Sequence, residues 1–242
     1  LAKTAGLNAF AGTLAIGNGT GGPGSAIVRL DADNQIPNNQ AVTVTSSGWL
    51  NLNGFSDSIG SGVTTTISGG SVSTGGGSLA VLGTLTFATG GSISAGTGTL
   101  TLSGTIRATS NWTYTAGTLD AGTSTVIFYP PGGSSSTITG SQTLYNVTFN
   151  SAYTGNVTIP SGTTLTVNGT LTIDTNSGAI NTGTIEAKGN VEQTAAGATG
   201  SATILINGAG AQTFTGGGTS ARLPNININK PSGTLTLSGT IR

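Results

Sequence analysis

Asp174 and Glu192 are the residues best suited by type and spacing to do chemistry: two carboxylates 18 residues apart, about one coil in a fold built of stacked coils. Carboxylates on adjacent coils can act as acid and base across a glycosidic bond. Glu186 and Lys188 lie close by. Other chemistry is closed off, because 242 residues contain no histidine and no cysteine. That excludes Ser-His and Cys-His nucleophiles, thiolate metal sites and zinc-histidine mechanisms. Isolated exposed charges are far commoner than active sites, so Asp174 and Glu192 stand as surface candidates and no residue is assigned a catalytic role.

The remaining motifs read as structure. Gly17, Gly19 and Gly22 satisfy GxGxxG, but that fingerprint needs a strand before it and a helix after it, and GPGSAIVRL follows instead. Asp31, Asp33 and Asn34 bring side-chain oxygens together, yet the turn glycine and terminal glutamate of a calcium loop are missing, and no GGxGxD repeats occur. No metal and no cofactor is therefore expected. Trp49, Trp112, Tyr114, Phe128, Tyr129, Tyr145 and Tyr153 offer flat rings that could stack on sugars. Most of these read as core or end packing, with Tyr129, exposed beside Pro130 and Pro131, the surface candidate. Five Asn-x-Ser/Thr sequons begin at Asn18, Asn111, Asn146, Asn156 and Asn168, and the chain's richness in Asn and Thr explains them.

The elements that must position these residues are strands. Lys and Arg number 7 against 7 Asp and Glu, only 6% of residues are charged, and 42 are glycine. A near-neutral chain without a basic stripe lacks the electrostatic term that dominates nucleic-acid binding. No run approaches the ~18–20 continuous apolar residues of a membrane-spanning helix. Nor is there methionine or a signal-peptide pattern at Leu1, which points to a processed chain or a segment of a longer one.

VTI, LTV, LTI, INI and LTL alternate apolar residues with Thr or Asn, the period-two pattern of half-buried strands. Apolar pairs start near Leu79, Leu85, Ile93, Leu100, Ile106, Trp112, Leu119 and Val126, and again near Val157, Leu165, Leu171, Ile180, Ile185 and Val191. Steps of about six to nine residues are shorter than the ~8–12 of a sandwich. They predict a triangular coil of roughly 20 residues with three short sides, stacked at about 4.8 Å, and about twelve such rungs in the chain. The fold class is all-β, a parallel β-helix or β-solenoid.

Repetition supports that architecture. The ten residues GTLTLSGTIR run from Gly98 to Arg107 and again from Gly233 to Arg242, an offset of 135 residues that would hold about seven rungs. A weaker echo sets Ile138 against Phe214, and Val147/Phe149 against Ile226/Ile228. Two continuous segments follow: residues 1–97, and a Gly/Thr-rich stretch, 98–242, that contains the 135-residue period.

From Phe10 to about Gly62 the words GTLAIGNGTGG, NQI, AVTV and LNLNGF resemble the autotransporter-associated β-strand repeat of bacterial surface proteins, over about a fifth of the chain. Residues 98–242, with AGTLDAGTSTVIF and TLYNVTFN, resemble the Gly/Thr-rich arrays of very large bacterial adhesins. The resemblance implies a right-handed parallel β-helix, exported and displayed at or beyond the outer membrane. No segment resembles the C-terminal membrane barrel of that family. The expected role is a non-catalytic element of an extracellular fibre, filament or adhesin stalk. Its expected partners are further copies or tandem repeats, with cell-surface glycan contact possible and no nucleic acid. The alternative is a glycan-binding or glycan-cleaving β-helix.

Overall fold

The computed structural model describes residues 1–4, 7–88, 92–94, 98–114, 116–151, 155–175, 178–194, 198–217 and 222–241. Tyr153 and Arg242 lie outside the described residues. Within them are 28 strands and no helix. The named strand pairs are parallel, and the chain is a β-solenoid of about nine turns. It comprises two compact units, residues 1–107 with 115–124, and residues 108–114 with 125–242.

In the first unit the chain visits three faces in turn. One holds β1 (Leu14–Ile16), β3 (Val42–Thr45), β6 (Thr64–Ser68), β9 (Thr84–Ala88) and β12 (Thr105–Ala108). The second holds β2 (Ala26–Arg29), β4 (Gly48–Asn51), β7 (Ser71–Ser73) and β10 (Ser92–Ser94). The third holds β5 (Asp57–Ile59), β8 (Ser78–Val81), β11 (Thr99–Leu102) and β14 (Thr118–Asp120).

The second unit repeats the plan. Its first face holds β15 (Thr125–Phe128), β18 (Asn146–Ser151), β21 (Leu171–Thr175), β24 (Val191–Gln193), β26 (Gln212–Gly217) and β28 (Leu235–Thr240). Its second holds β13 (Trp112–Thr113), β16 (Ser135–Thr139), β19 (Asn156–Thr158) and β22 (Ile180–Asn181). The third holds β17 (Gln142–Leu144), β20 (Thr164–Val167), β23 (Thr184–Ala187), β25 (Thr203–Ile206) and β27 (Asn225–Ile228).

The period-two sequence pattern explains the strands, since β-branched Thr, Val and Ile suit the pleat and every second side chain faces inward. The starting residue of each apolar pair singled out by spacing falls in a strand, from Leu79 in β8 to Val191 in β24. The turns are fewer than the twelve expected because loops lengthen some coils. Leu171 is in register with Val191, 20 residues on, whereas Leu14 meets Val42 after 28.

Stacked coils align like side chains into interior ladders. In the second unit Val126, Val147, Leu171, Val191 and Phe214 are successive register partners and all are buried. Beside them Phe128 stacks on Phe149 at 5.5 Å between centroids, and Trp112 meets Phe128 edge-on at 5.9 Å. In the first unit Leu79 and Val81 are in register with Leu100 and Leu102. The echo between Ile138 and Phe214 does not keep its face, because Ile138 lies on β16 and Phe214 on β26. Val147 and Phe149 likewise lie on β18, and Ile226 and Ile228 on β27.

Candidate functional site

The carboxylates singled out by spacing lie on the outward side of the β15–β28 face. Asp174 ends up half-buried and Glu192 exposed. The spacing of 18 falls two short of the local register, so Glu192 is in register with Thr172 and stands diagonal to Asp174. Diagonal neighbours across adjacent strands have Cα atoms ~8 Å apart. Asp174 is already engaged: its Oδ2 accepts from Asn150 Nδ2 at 2.7 Å on the coil before, and its Oδ1 accepts from Thr194 Oγ1 at 2.7 Å on the coil after.

Glu186 and Lys188, two residues apart on and just beyond β23, form a second polar cluster. Lys188 Nζ donates to Glu186 Oε1 at 2.7 Å, as does Asn207 Nδ2 at 2.6 Å. Thr166 Oγ1 donates to Oε2 at 3.0 Å. The lysine bond, then the asparagine bond, hold the carboxyl of Glu186 below its ordinary value. Three consecutive coils thus meet at one carboxylate. The sequence set Glu186 and Lys188 close to Asp174 and Glu192, but β23 lies on a different face from β21 and β24, and nothing in the spacing hinted at Asn207 or Thr166.

Asp57 is the buried carboxylate, 3% exposed. Its Oδ2 accepts the N–H groups of Gln35 and Ile36 at 2.8 and 3.0 Å, and its Oδ1 that of Ser58 at 2.8 Å. Burial nonetheless dominates and raises its pKa, with a small push from Asp33. Gln35, itself buried, accepts Lys3 N–H at Oε1 and Ala9 N–H at its carbonyl, both at 2.7 Å. The N-terminal segment is therefore tied to the loop that Asp57 holds. An isolated Asp in DSI carried no sequence signal for this.

The two aspartates of the calcium-like set are also taken by protein partners. Asp31 pairs with Arg29 at 3.0 Å, and Asp33 Oδ1 accepts Ser56 N–H at 2.7 Å. Among the described residues no group of three or more His, Cys, Asp or Glu gathers to hold a metal. The GxGxxG segment leads from β1 into strand β2, and the N–H groups of Asn18 and Gly19 both donate to Ser47 Oγ at 3.2 Å. Elsewhere, Asn8, Asn34, Asn38, Asn39 and Ser61 line an open hollow of about 480 Å³.

Three of the five sequon asparagines serve the coil. Asn146 Oδ1 accepts Thr170 N–H at 2.8 Å, Asn156 Oδ1 accepts Ala179 N–H at 2.9 Å, and Asn111 Oδ1 accepts Thr137 N–H at 2.9 Å. Each spans 23 to 26 residues, so each staples one coil to the next. Buried glutamines do the same inside. Gln212 Nε2 donates to Ala187 O at 3.1 Å, and its Oε1 accepts from Lys230 Nζ at 2.6 Å.

Of the aromatic candidates, Trp112 is buried and its Nε1 donates to Gln142 Oε1 at 2.6 Å. Phe128 is buried too, and Tyr129 is half-buried between buried Phe128 and Pro130 rather than exposed. Trp49 lies half-buried on an outward position and donates to Ser73 Oγ at 2.9 Å. Tyr145 is 37% exposed. Among the described residues no helix is long and apolar enough to cross a membrane. No protein-family model matches the chain, and neither curated proteins nor solved structures yield a match.

Proposed function

We propose that the chain is a non-catalytic structural segment of a bacterial extracellular fibre, filament or adhesin stalk, coiled in the right-handed sense that its resemblance to autotransporter-associated repeats implies. One observation carries this reading: outward polar side chains are spent on neighbouring coils. Asp174 joins Asn150 to Thr194, Glu186 joins Thr166 to Asn207, and Asn146 and Asn156 each hold the next coil's backbone. Such cross-links suit a stiff rod, in which repetition sets length and stacking sets strength. The cell surface is where such a rod is used, and its partners are further copies or repeats of the same kind.

Immunogold labelling of intact source cells, with antibody raised to the recombinant chain, tests the proposal. Label on surface fibres is the expected result; label confined to the cell interior overturns it.

A second reading, glycan contact, draws on the asparagine hollow, since side-chain amides both donate to and accept from sugar hydroxyls. A glycan array probed with the chain and with Asn34→Ala/Asn39→Ala distinguishes the two. Saccharide binding lost in the double variant would favour the second reading.

A further inference from the structure

An asparagine in Asn-x-Ser/Thr can carry a sugar on its side-chain nitrogen only where that amide is free and reachable. Four of the five sequons fail this condition. Asn18 Oδ1 accepts both the N–H and the hydroxyl of Thr20, at 2.9 and 2.6 Å, so that sequon is closed on itself. Asn111, Asn146 and Asn156 spend their amides on the next coil. Their sequons are also bound into strands around buried residues: Trp112 opens β13, Val147 lies in β18 and Val157 in β19.

Asn168 differs on each count. Asn168, Gly169 and Thr170 lie in the turn between β20 and β21, outside both strands. Asn168 is exposed, and among the described residues no group hydrogen-bonds its side-chain amide or the hydroxyl of Thr170. The turn itself is held by its backbone. The N–H groups of Asn168 and Gly169 donate to Leu144 O at 3.0 Å and Tyr145 O at 2.8 Å, and that of Thr170 to Asn146 Oδ1 at 2.8 Å.

Tyr145 stands beside this amide on the preceding coil. Leu144 is in register with Val167, so Tyr145 and Asn168 are the next pair along, on strands ~4.8 Å apart. The ring of Tyr145 rests on Gly169, where a Cβ would lie 3.0 Å from both Cδ1 and Cε1. A glycine at the middle of the sequon is what admits the ring so close. The ring remains 37% exposed. On the following coil Lys188 turns its ammonium to Glu186 Oε1 at 2.7 Å and makes no bond to Asn168.

We infer that Asn168 is a site of N-linked glycosylation, and that the first sugar packs against the ring of Tyr145. The donor is a glycosyl diphosphate, linked to a nucleoside or a lipid. Asn168 Nδ2 forms a bond to C1 of the sugar, the bond from C1 to the phosphate oxygen breaks, the diphosphate leaves with the electron pair and Nδ2 gives up one proton. The C–H face of a pyranose then meets a flat apolar ring with a polar tip. No bond between coils is lost, because only backbone groups of Asn168 hold the turn. The inference goes beyond the fibre reading and takes from it only a surface destination.

Mass spectrometry of the chain isolated from source cells, with electron-transfer fragmentation of peptides covering residues 145–175, tests the site. The expected result is a glycan on Asn168 and none on Asn111, Asn146 or Asn156. A single sugar marks the nucleoside-linked donor and an oligosaccharide added as a block marks the lipid-linked one; both support the inference. Thr170→Ala, which keeps the N–H that Asn146 accepts, removes the glycan. An unmodified Asn168, or equal occupancy at Asn146 and Asn156, would overturn the site. Thermal unfolding tests the ring: the glycosylated chain melts above the Thr170→Ala chain, and the two melt together once Tyr145→Ala is added to both. An equal gap with and without Tyr145 would overturn the packing. Surface labelling with a bare Asn168 sinks this inference alone, and a glycan on Asn168 without surface labelling sinks the fibre proposal alone.

Discussion

Leu102 and Leu237 occupy the same place in two identical ten-residue sequences, yet Leu102 is fully buried and Leu237 is 61% exposed. Local propensity is the same in both, so the difference comes from the neighbouring coil. Leu102→Ala deletes packed methyl groups and costs about 2–5 kcal/mol. Leu237→Ala changes stability by less than about 0.5 kcal/mol in dilute solution. Urea unfolding of the two variants reads both numbers, and equal losses would mean that Leu237 is covered.

Trp112→Phe keeps the ring against Phe128 but removes the Nε1–H that Gln142 Oε1 accepts at 2.6 Å. Burial of an acceptor without that donor costs about 1–3 kcal/mol. Thermal unfolding followed by circular dichroism measures it. A sugar platform would predict a change in glycan binding and none in stability.

Gly140 has φ +87°, and a Cβ there would collide with the carbonyl oxygen of Tyr114. Gly140→Ala therefore combines a left-handed backbone with a backbone clash, and costs more than the ~1 kcal/mol of an ordinary glycine replacement. Accelerated proteolysis around residues 114–140 is the expected signature; a digestion rate equal to that of the unmodified chain would contradict it.

Asp57 gives the first unit a pH dependence of definite sign. Its folded pKa is raised, above all by burial, so the stability it contributes is fully present below the unfolded value and is lost as pH rises through the folded value. Acidification from neutral pH into the carboxylate range strengthens the unit through this residue. Asp57→Asn flattens that slope in urea titrations at stepped pH, and an unchanged slope would exclude the role.

Glu186 works in the opposite direction. Its folded pKa is lowered, first by Lys188 and then by Asn207, so its contribution is present above the unfolded value and is lost as pH falls through the folded one. Lys188 is 38% exposed, which keeps the ion pair's share within about 1 kcal/mol. Glu186→Gln removes the loss of stability on acidification that this residue contributes, read in the same titration; the same acid loss in both proteins would refute it.

What the sequence by itself determined was the strand. Alternation of apolar residues with Thr or Asn is a local property, and Leu79, Leu165 and Val191 could be placed in strands because a pleat repeats every two residues whatever surrounds it. Stacked coils were legible from spacing. Which residues meet was not, because register depends on how much chain each corner consumes. Twenty residues separate Leu171 from Val191 but 24 separate Val147 from Leu171, and that variation seats Glu192 beside Thr172 while Asp174 goes to Asn150 and Thr194. Only the tertiary structure could bury Asp57 or gather three coils at Glu186. It also decided that one copy of GTLTLSGTIR turns a corner at Gly104 between β11 and β12 while the other runs through Gly239 inside β28. Both glycines keep a positive φ, so the backbone habit is local. The burial is not, since an interior ladder exists only where another coil lies against it.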